Sequence, residues 1–478
     1  MKKKERYSVG VFIAVAILLL TVYNLFGSLL TPGSIEPVNS WLISPFILLL
    51  ASIALMPFIQ KVWWEKNYPF VVFALGGLVV LYYILVLHNI PRLFLTSYEY
   101  ISFISFIGSL YVVAGGIHVN IPGKATPIGN VSLLATGAVL ANIFGTTGAS
   151  MLLIRPFLRM NRYRVKAYHV VFFIFLVSNI GGALTPIGDP PLFLGYLKGV
   201  PFFWITARVA PIWLLTVGLV LAVFYAVDSF HFRKEPKAVQ NKAAEMDEPQ
   251  VSGLHNIVFL FIILGAVFIE SPAPILTREI IMLAAALGSY MTTKKEFHKM
   301  NDFNFLPIKE VAILFAGIFA TMIPALDWLE LHARSLGIVT PGQYYWGVGL
   351  LSGVLDNAPA YLNFLTAAFG LHGANVDNLQ HMNLMLGSTA LTGSNLGNSL
   401  QSGALPITPD SWKYILAISI GSVFFGATTY IGNGPNFMVK SIAEQSKVHC
   451  PSFFGYIGKY SLPILIPVFG LVWLIFFH

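Results

Sequence analysis

Apolar runs long enough to cross a bilayer, about 20 residues each, recur along this chain from end to end, and that feature limits the fold more than any other. They lie at about 9–30, 41–59, 68–90, 99–115, 131–154, 167–185, 203–229, 254–270, 276–292, 311–329, 343–370, 412–431 and 461–477. In hydrocarbon every backbone polar group must be satisfied internally, so such runs become helices. The expected fold class is an all-α polytopic membrane protein. Only 10% of the 478 residues are charged, against about 25% in a soluble domain. That excludes a soluble enzyme and a disordered chain. The single cysteine, Cys450, has no partner within the chain, which excludes a disulfide scaffold. The first run exceeds a signal-peptide core of about 7–15 residues and ends in no small-x-small cleavage site. It is expected to be an uncleaved first transmembrane helix.

The net charge of +8 does not point to nucleic acid, because the basic residues sit in short loops between apolar runs. With the N-terminus in the cytoplasm, the runs 131–154 and 343–370 read as re-entrant hairpins and every other run as a crossing. The inside loops then hold 23 Lys and Arg, and the outside loops hold 4: Arg92, Lys198, Arg278 and Arg334. This asymmetry is the one that sets membrane orientation. The expected location is the cell inner (plasma) membrane, multi-pass, with the lipid bilayer as partner. Residues 230–252 mix acids and bases and read as a solvated cytoplasmic linker. They divide the chain into two transmembrane halves, 1–229 and 253–478, which this topology places inverted to one another. Segment 380–400 is only half apolar and its placement stays open. Asp228, Glu270 and Asp327, near run ends, read as solvated. Glu310, His118 and His169 read as interfacial, and Arg208 as snorkelling to the outer surface.

A weak repeat supports two inverted halves. Residues 182–191 (G-A-L-T-P-I-G-D-P-P) match 426–435 (G-A-T-T-Y-I-G-N-G-P) at six of ten positions, offset by 244. The hairpin tips, Gly145-Thr146-Thr147-Gly148-Ala149 and Asp356-Asn357-Ala358-Pro359-Ala360, correspond more loosely at offset 211. Paired Gly/Pro-interrupted apolar segments are the best sequence pointer to a transporter's binding site. Each half is therefore expected to hold a re-entrant hairpin and a discontinuous helix.

Segment 178–191, which carries Asn179, Thr185, Gly188 and Asp189, has three prolines and three glycines. Such a composition breaks a helix. Broken backbone at membrane depth survives only where it is buried or lines a cavity. A carboxylate there, Asp189, is a functional hypothesis by default. The alternative is that Asp189 caps a helix that begins at Pro190-Pro191. The second break carries Thr429, Gly432, Asn433 and Asn436, whose amides can serve a cation or an anion; the alternative is a glycine C-cap. Asp356, Asn357 and Pro359 form a turn inside an apolar run, suited to ligand or proton handling. The first hairpin offers Asn142, Thr146, Thr147 and Ser150 but no acid. Its small residues could equally serve helix packing.

Taken together, a Thr-rich hairpin tip, a T-P-I-G-x-P-P break, an L-D-N-A-P hairpin and a second G-x-x-P-N break resemble the ion transporter superfamily. That group includes divalent anion/sodium symporters, citrate transporters, arsenite permeases and NhaD-type sodium/proton antiporters. The resemblance spans roughly 130–440. The run 355–359 and a segment at 310–330, which opens E-V-A-I-L-F-A-G-I-F, resemble the antiporter and arsenite permease branch in particular. The resemblance implies cation-site positions at Asp189, Asp356 and Asn357, a broken-helix site completed by Thr146, Thr147, Thr429 and Asn433, and a homodimer. The tips depart from the Ser-Asn-Thr of anion symporters.

The leading expectation is a secondary antiporter, and no enzyme, that exchanges Na⁺ or Li⁺ for H⁺ by alternating access. Asp189 and Asp356 would hold the transported ion, and no resident cofactor is expected. A cation-coupled transporter of citrate, a dicarboxylate or another oxyanion, arsenite included, is the alternative. There, helix-end amides at Gly188 and Gly432 would hold carboxylates. An intramembrane aspartyl protease would need a Gly-x-Gly-Asp motif, and Pro186-Ile187-Gly188-Asp189 does not supply it.

Overall fold

The computed structural model describes residues 37–120, 124–244, 250–269, 274–387 and 404–478, together with Thr21 and Leu25. The expected first span (9–30) apart from Thr21 and Leu25, Glu270 and most of the open segment 380–400 lie outside the described residues.

Among the described residues, eight helices are long and apolar enough to cross a membrane. The chain is an all-α polytopic membrane protein. Two further apolar runs form shorter helices, Asn256–Val267 and Thr277–Thr292. They pack side by side, with the Phe259 ring filling the space over Gly288. The only strands among the described residues form a short antiparallel ribbon. His118–Asn120 pairs with Gln250–Ser252 in it, His118 opposite Ser252. The described part of the region expected as a solvated linker is mostly helical: the helix Phe202–Lys234 runs into it, and Lys237–Ala244 forms a further short helix.

Both expected hairpins are present. Pro127–Met160 is helical throughout except at Gly145, where φ is 72° and ψ 159°. Only glycine adopts that left-handed, extended combination at no steric cost. A straight 34-residue helix would span about 51 Å, yet the amides of Asn130 and Asn161 bond each other at 3.0 and 2.7 Å. The chain therefore reverses at Gly145, and its arms close at the base. The second hairpin joins Pro341–Ser352 to Asn357–Leu371. Its first arm starts at a capping box between Thr340 and Gln343, and the Phe364 ring packs over Gly347.

The two breaks have nearly the same backbone. After the helix Ala167–Leu176 comes a 3₁₀ turn, Ile180–Leu184; Thr185 and Asp189 are extended, and a new helix runs Pro190–Leu197. After Trp412–Phe425 comes a 3₁₀ turn, Gly426–Thr428; Thr429 and Asn433 are extended, and Gly434–Gln445 follows. Asp189 (φ −143°, ψ 145°) and Asn433 (φ −153°, ψ 141°) are 244 residues apart. Each break folds back on its own carbonyl. A Cβ on Gly188 would lie 2.0 Å from the Gly182 oxygen, and one on Gly432 would lie 2.6 Å from the Gly426 oxygen.

The helices sort into two packed groups. In one, Ser44–Ile59, Lys61–Leu85, Ile90–Gly115, Asn256–Val267, Thr277–Thr292 and Leu306–His332 pack on each other; the other holds both hairpins, both breaks and Phe202–Lys234. Each group draws on both halves of the sequence. Leu306–His332 against Asn357–Leu371, and Ile90–Gly115 against the first hairpin, join the groups.

Several polar residues are buried where exposure was expected. Asp228 is fully buried, and Asp327 is 1% exposed. Asp228 faces a two-pronged ion pair from Arg164, and Asp327 one from Arg92. His169 is fully buried; its Nδ1 accepts from the Lys166 amide at a helix start. His118 is buried against Asn301. Lys166 apart, these partners come from distant segments, which no local reading of the run ends supplies. Glu310 is exposed, and Arg208, also exposed, stacks over the Trp412 ring at 4.0 Å.

Candidate functional site

Asp189 is 1% exposed and stands where four chain segments meet. Its Oδ1 accepts from the Thr146 hydroxyl at 2.7 Å and from the Asn433 amide at 2.9 Å. Its Oδ2 accepts from the Asn357 amide at 2.8 Å. One donor thus comes from the first hairpin tip, one from the second hairpin and one from the second break. Although Asp189 sits in the N-cap position of Pro190–Leu197, its side chain makes no capping bond. Its carboxylate is turned to the other segments.

The remaining expected residues hold those segments in place. Asn142 donates to the Gly181 carbonyl at 2.7 Å and accepts from the Leu184 amide, and its own carbonyl accepts from Thr185 Oγ1. This ties the first break to the first hairpin. The Gly188 carbonyl accepts from the Thr146 amide at 2.7 Å. In the second half Thr429 Oγ1 donates to the Gly353 carbonyl at 2.7 Å. Thr185 to Asn142 and Thr429 to Gly353 are the same contact moved by the two sequence offsets, 244 and 211. Asn436 donates to the Gly426 and Thr429 carbonyls and accepts from Asn179 at 2.6 Å, which links the two breaks. Gly432 closes the second loop through its amide on Thr429 Oγ1.

Two expected residues stand apart. Thr147 is half-buried and is not a partner of Asp189. Asp356 is the N-cap of Asn357–Leu371, its Oδ1 accepting from the Ala358 amide at 3.1 Å. The residue that reaches Asp189 is its neighbour, Asn357. Serines that drew little or no notice in the sequence orient these amides. Ser352 Oγ lies 2.6 Å from Asn357 Oδ1, the Ser178 carbonyl accepts from Asn433, and Ser150 bonds Ser178. Serines inside apolar runs read as packing residues, so only their position beside the Asn positions could have flagged them.

Two features define what the site can hold. All three donors to Asp189 are neutral. Second, Asn179 Oδ1 is a buried acceptor with no hydrogen-bond partner. It lies with the Asn357 amide against Gly426: a Cβ there would fall 2.9 Å from Asn179 Oδ1 and 2.3 Å from Asn357 Oδ1. A buried carboxylate, a threonine hydroxyl and the unpartnered Asn179 oxygen are hard oxygen groups of the kind a small cation takes, whereas Asn357 and Asn433 face Asp189 with their NH2 groups.

A family model with the description "Putative citrate transport" matches residues 35–477, nearly the whole chain. The chain belongs to this citrate transport family. The family sits within the citrate transporter-like group of the ion transporter superfamily, which makes the chain a multi-pass transporter of the secondary type. No curated protein matches it significantly.

Proposed function

We propose that this member of the citrate transport family is a cation-coupled secondary transporter whose central ion site is Asp189, and that it exchanges Na⁺ or Li⁺ for H⁺. The observation that carries this reading is the buried Asp189 carboxylate bonded by neutral donors from three other segments. A carboxylate in that position takes either a proton or a small cation, and the two exclude each other. Thr146, Asn357 and Asn433 would turn oxygens to the cation, with Asn179 Oδ1 already unpartnered. Asp356, one residue from Asn357, adds negative charge. One helix group moving against the other would expose the site to each side in turn.

The helix starts bear on what is carried. Four helices begin at the site, at Thr146, Pro190, Asn357 and Gly434. Their positive ends offset the Asp189 charge. An anion would need their free amides. Of the twelve amides in their first three positions, Pro190, Pro191, Pro359 and Pro435 have none to give. Those of Thr146, Leu192, Ala358 and Asn436 are already bonded to Gly188 O, Asp189 O, Asp356 Oδ1 and Asn433 O. Eight of twelve are thus removed from an anion. The second reading, cation-coupled uptake of citrate or a related oxyanion, is favoured by the family match over residues 35–477.

The test is transport by protein reconstituted in acid-loaded liposomes that hold a pH dye. Alkalinisation on adding Na⁺, with none on adding K⁺, is expected. Sodium-dependent uptake of labelled citrate without alkalinisation would replace antiport with the second reading.

A further inference from the structure

A second buried charge cluster lies at the opposite end of the molecule from the Arg164–Asp228 pair. Arg92 pairs with Asp377 at 2.6 Å and with Asp327 at 2.8 Å, and Tyr83 donates to Asp327. Lys198 pairs with Glu99 at 2.6 Å and also with Asp377. Every one of these charged side chains is at most 10% exposed. Arg92, Glu99 and Asp327 belong to the first helix group. Lys198 follows the first break, and Asp377 follows the second hairpin. Arg92–Asp377 and Lys198–Glu99 therefore cross between the two groups. At the other end the pair that crosses, Arg155–Asp302, leaves Asp302 75% exposed.

One member of this cluster has no hydrogen-bond or ion-pair partner among the described residues. Glu330 is 5% exposed, one turn beyond Asp327 on the same helix face. Its Oε2 is buried with no hydrogen bond. Its backbone packs directly on Gly370 of the second hairpin. The charges that act on it are those of Asp377, Arg92, Asp327 and Lys198. The other titratable groups nearby are engaged elsewhere: Tyr83 on Asp327, Glu99 on Lys198, His372 at the Leu405 carbonyl, His381 at the Asn375 amide, His332 stacked on Trp328, and Arg334, in the adjoining 3₁₀ turn, with a partner other than Glu330.

From these observations we infer that Glu330 is a proton-binding site, separate from Asp189, that controls an ionic latch between the two helix groups. Without Glu330 the cluster holds three acids (Glu99, Asp327, Asp377) and two bases (Arg92, Lys198), a net charge of −1. An ionised Glu330 takes it to −2, with the added carboxylate unpaired. Burying an unpaired carboxylate is costly, and the neutral acid avoids that cost. With the proton on Glu330 the two crossing pairs hold. When the proton leaves, Glu330 repels Asp377 and competes for Arg92 and Lys198, so both crossing pairs weaken. The latch closes at low pH and loosens at high pH. It uses the same relative motion of the helix groups as the proposed transport cycle, but it does not depend on which ion Asp189 carries.

Infrared spectroscopy and hydrogen exchange on the full-length protein in lipid nanodiscs test this without transport. The wild type should show a carboxylic acid C=O band that vanishes as pH rises. Glu330→Gln should remove one component of that band, and Asp189→Asn should keep that component. Exchange at residues 372–378, corrected for the chemical effect of pH, should rise about tenfold over the same step, as one added charge in a partly screened interior would produce. Glu330→Gln should stay slow at every pH, and Arg92→Gln should be fast at every pH. A wild type with no pH step overturns the inference even if Glu330→Gln does not fold. A band that Glu330→Gln leaves unchanged overturns the site, and slow exchange in Arg92→Gln overturns the latch.

Discussion

Asp189 and Asp356 look alike in the sequence, each a lone acid at a Pro-rich break, yet the structure gives them different work. Asp189 occupies a cap position but bonds across the site, whereas Asp356 bonds the amide of its own helix. Asp189→Asn keeps the volume and hydrogen-bonding capacity but removes the exchangeable charge. Folding should be retained and coupled exchange lost, as read by the liposome assay; wild-type exchange would remove Asp189 from the mechanism. Asp356 separates two roles through two substitutions. Asparagine caps helices about as well as aspartate, whereas alanine costs about 1 kcal/mol. Asp356→Asn should therefore fold normally and weaken Na⁺ affinity about tenfold through the loss of one nearby charge. Asp356→Ala should show the same affinity loss and a lower melting temperature. Unchanged Na⁺ affinity in Asp356→Asn would leave that residue as a cap alone.

The breaks are the elements that the sequence showed best. Their glycines and prolines forbid a continuous helix whatever the tertiary context, and the ten-residue match announced that both loops have one shape. Hairpin reversal at Gly145 was legible for the same reason. Hidden from the sequence was which residue of a tip points inward. Asn357 reaches Asp189 while Thr147 does not, because one residue of helical rotation decides it. The glycines give a sharp contrast to measure. Gly426 is the place where the Asn357 and Asn179 amides press on the backbone; a Cβ there would meet Asn357 Oδ1 at 2.3 Å. Gly434, eight residues on, has nothing within 4 Å of a Cβ. Gly426→Ala should push Asn357 off Asp189, cost about 1–3 kcal/mol as overpacking does and lose transport. Gly434→Ala should melt and transport like the wild type. If both variants transport normally, the contact of Asn357 with Asp189 is dispensable.

At the scale of the whole molecule, the two ends are held by buried ion pairs that hydropathy alone hides. Arg164 is one of the 23 basic residues counted in the inside loops and Asp228 read as solvated, because each is polar beside an apolar run. Their pairing is set by how the first hairpin packs on Phe202–Lys234, and sequence spacing does not encode that. Asp228 takes two bonds from Arg164 at 2.6 and 2.7 Å, one from Tyr168 at 2.6 Å and one from Asn130 at 2.9 Å. Through Asn130 it also fixes Asn161, and so the base of the hairpin whose tip carries Thr146. Removing only Arg164 would leave Asp228 buried with neutral partners, a change that costs about 3–5 kcal/mol, whereas replacing a whole buried pair by apolar residues is often near neutral. Arg164→Met should therefore lower the melting temperature of the purified protein strongly. Arg164→Met combined with Asp228→Leu should recover most of that loss. Equal melting temperatures for the single and double variants would mean that the pair is not coupled. The hairpin base would then be held by the Asn130–Asn161 amides alone.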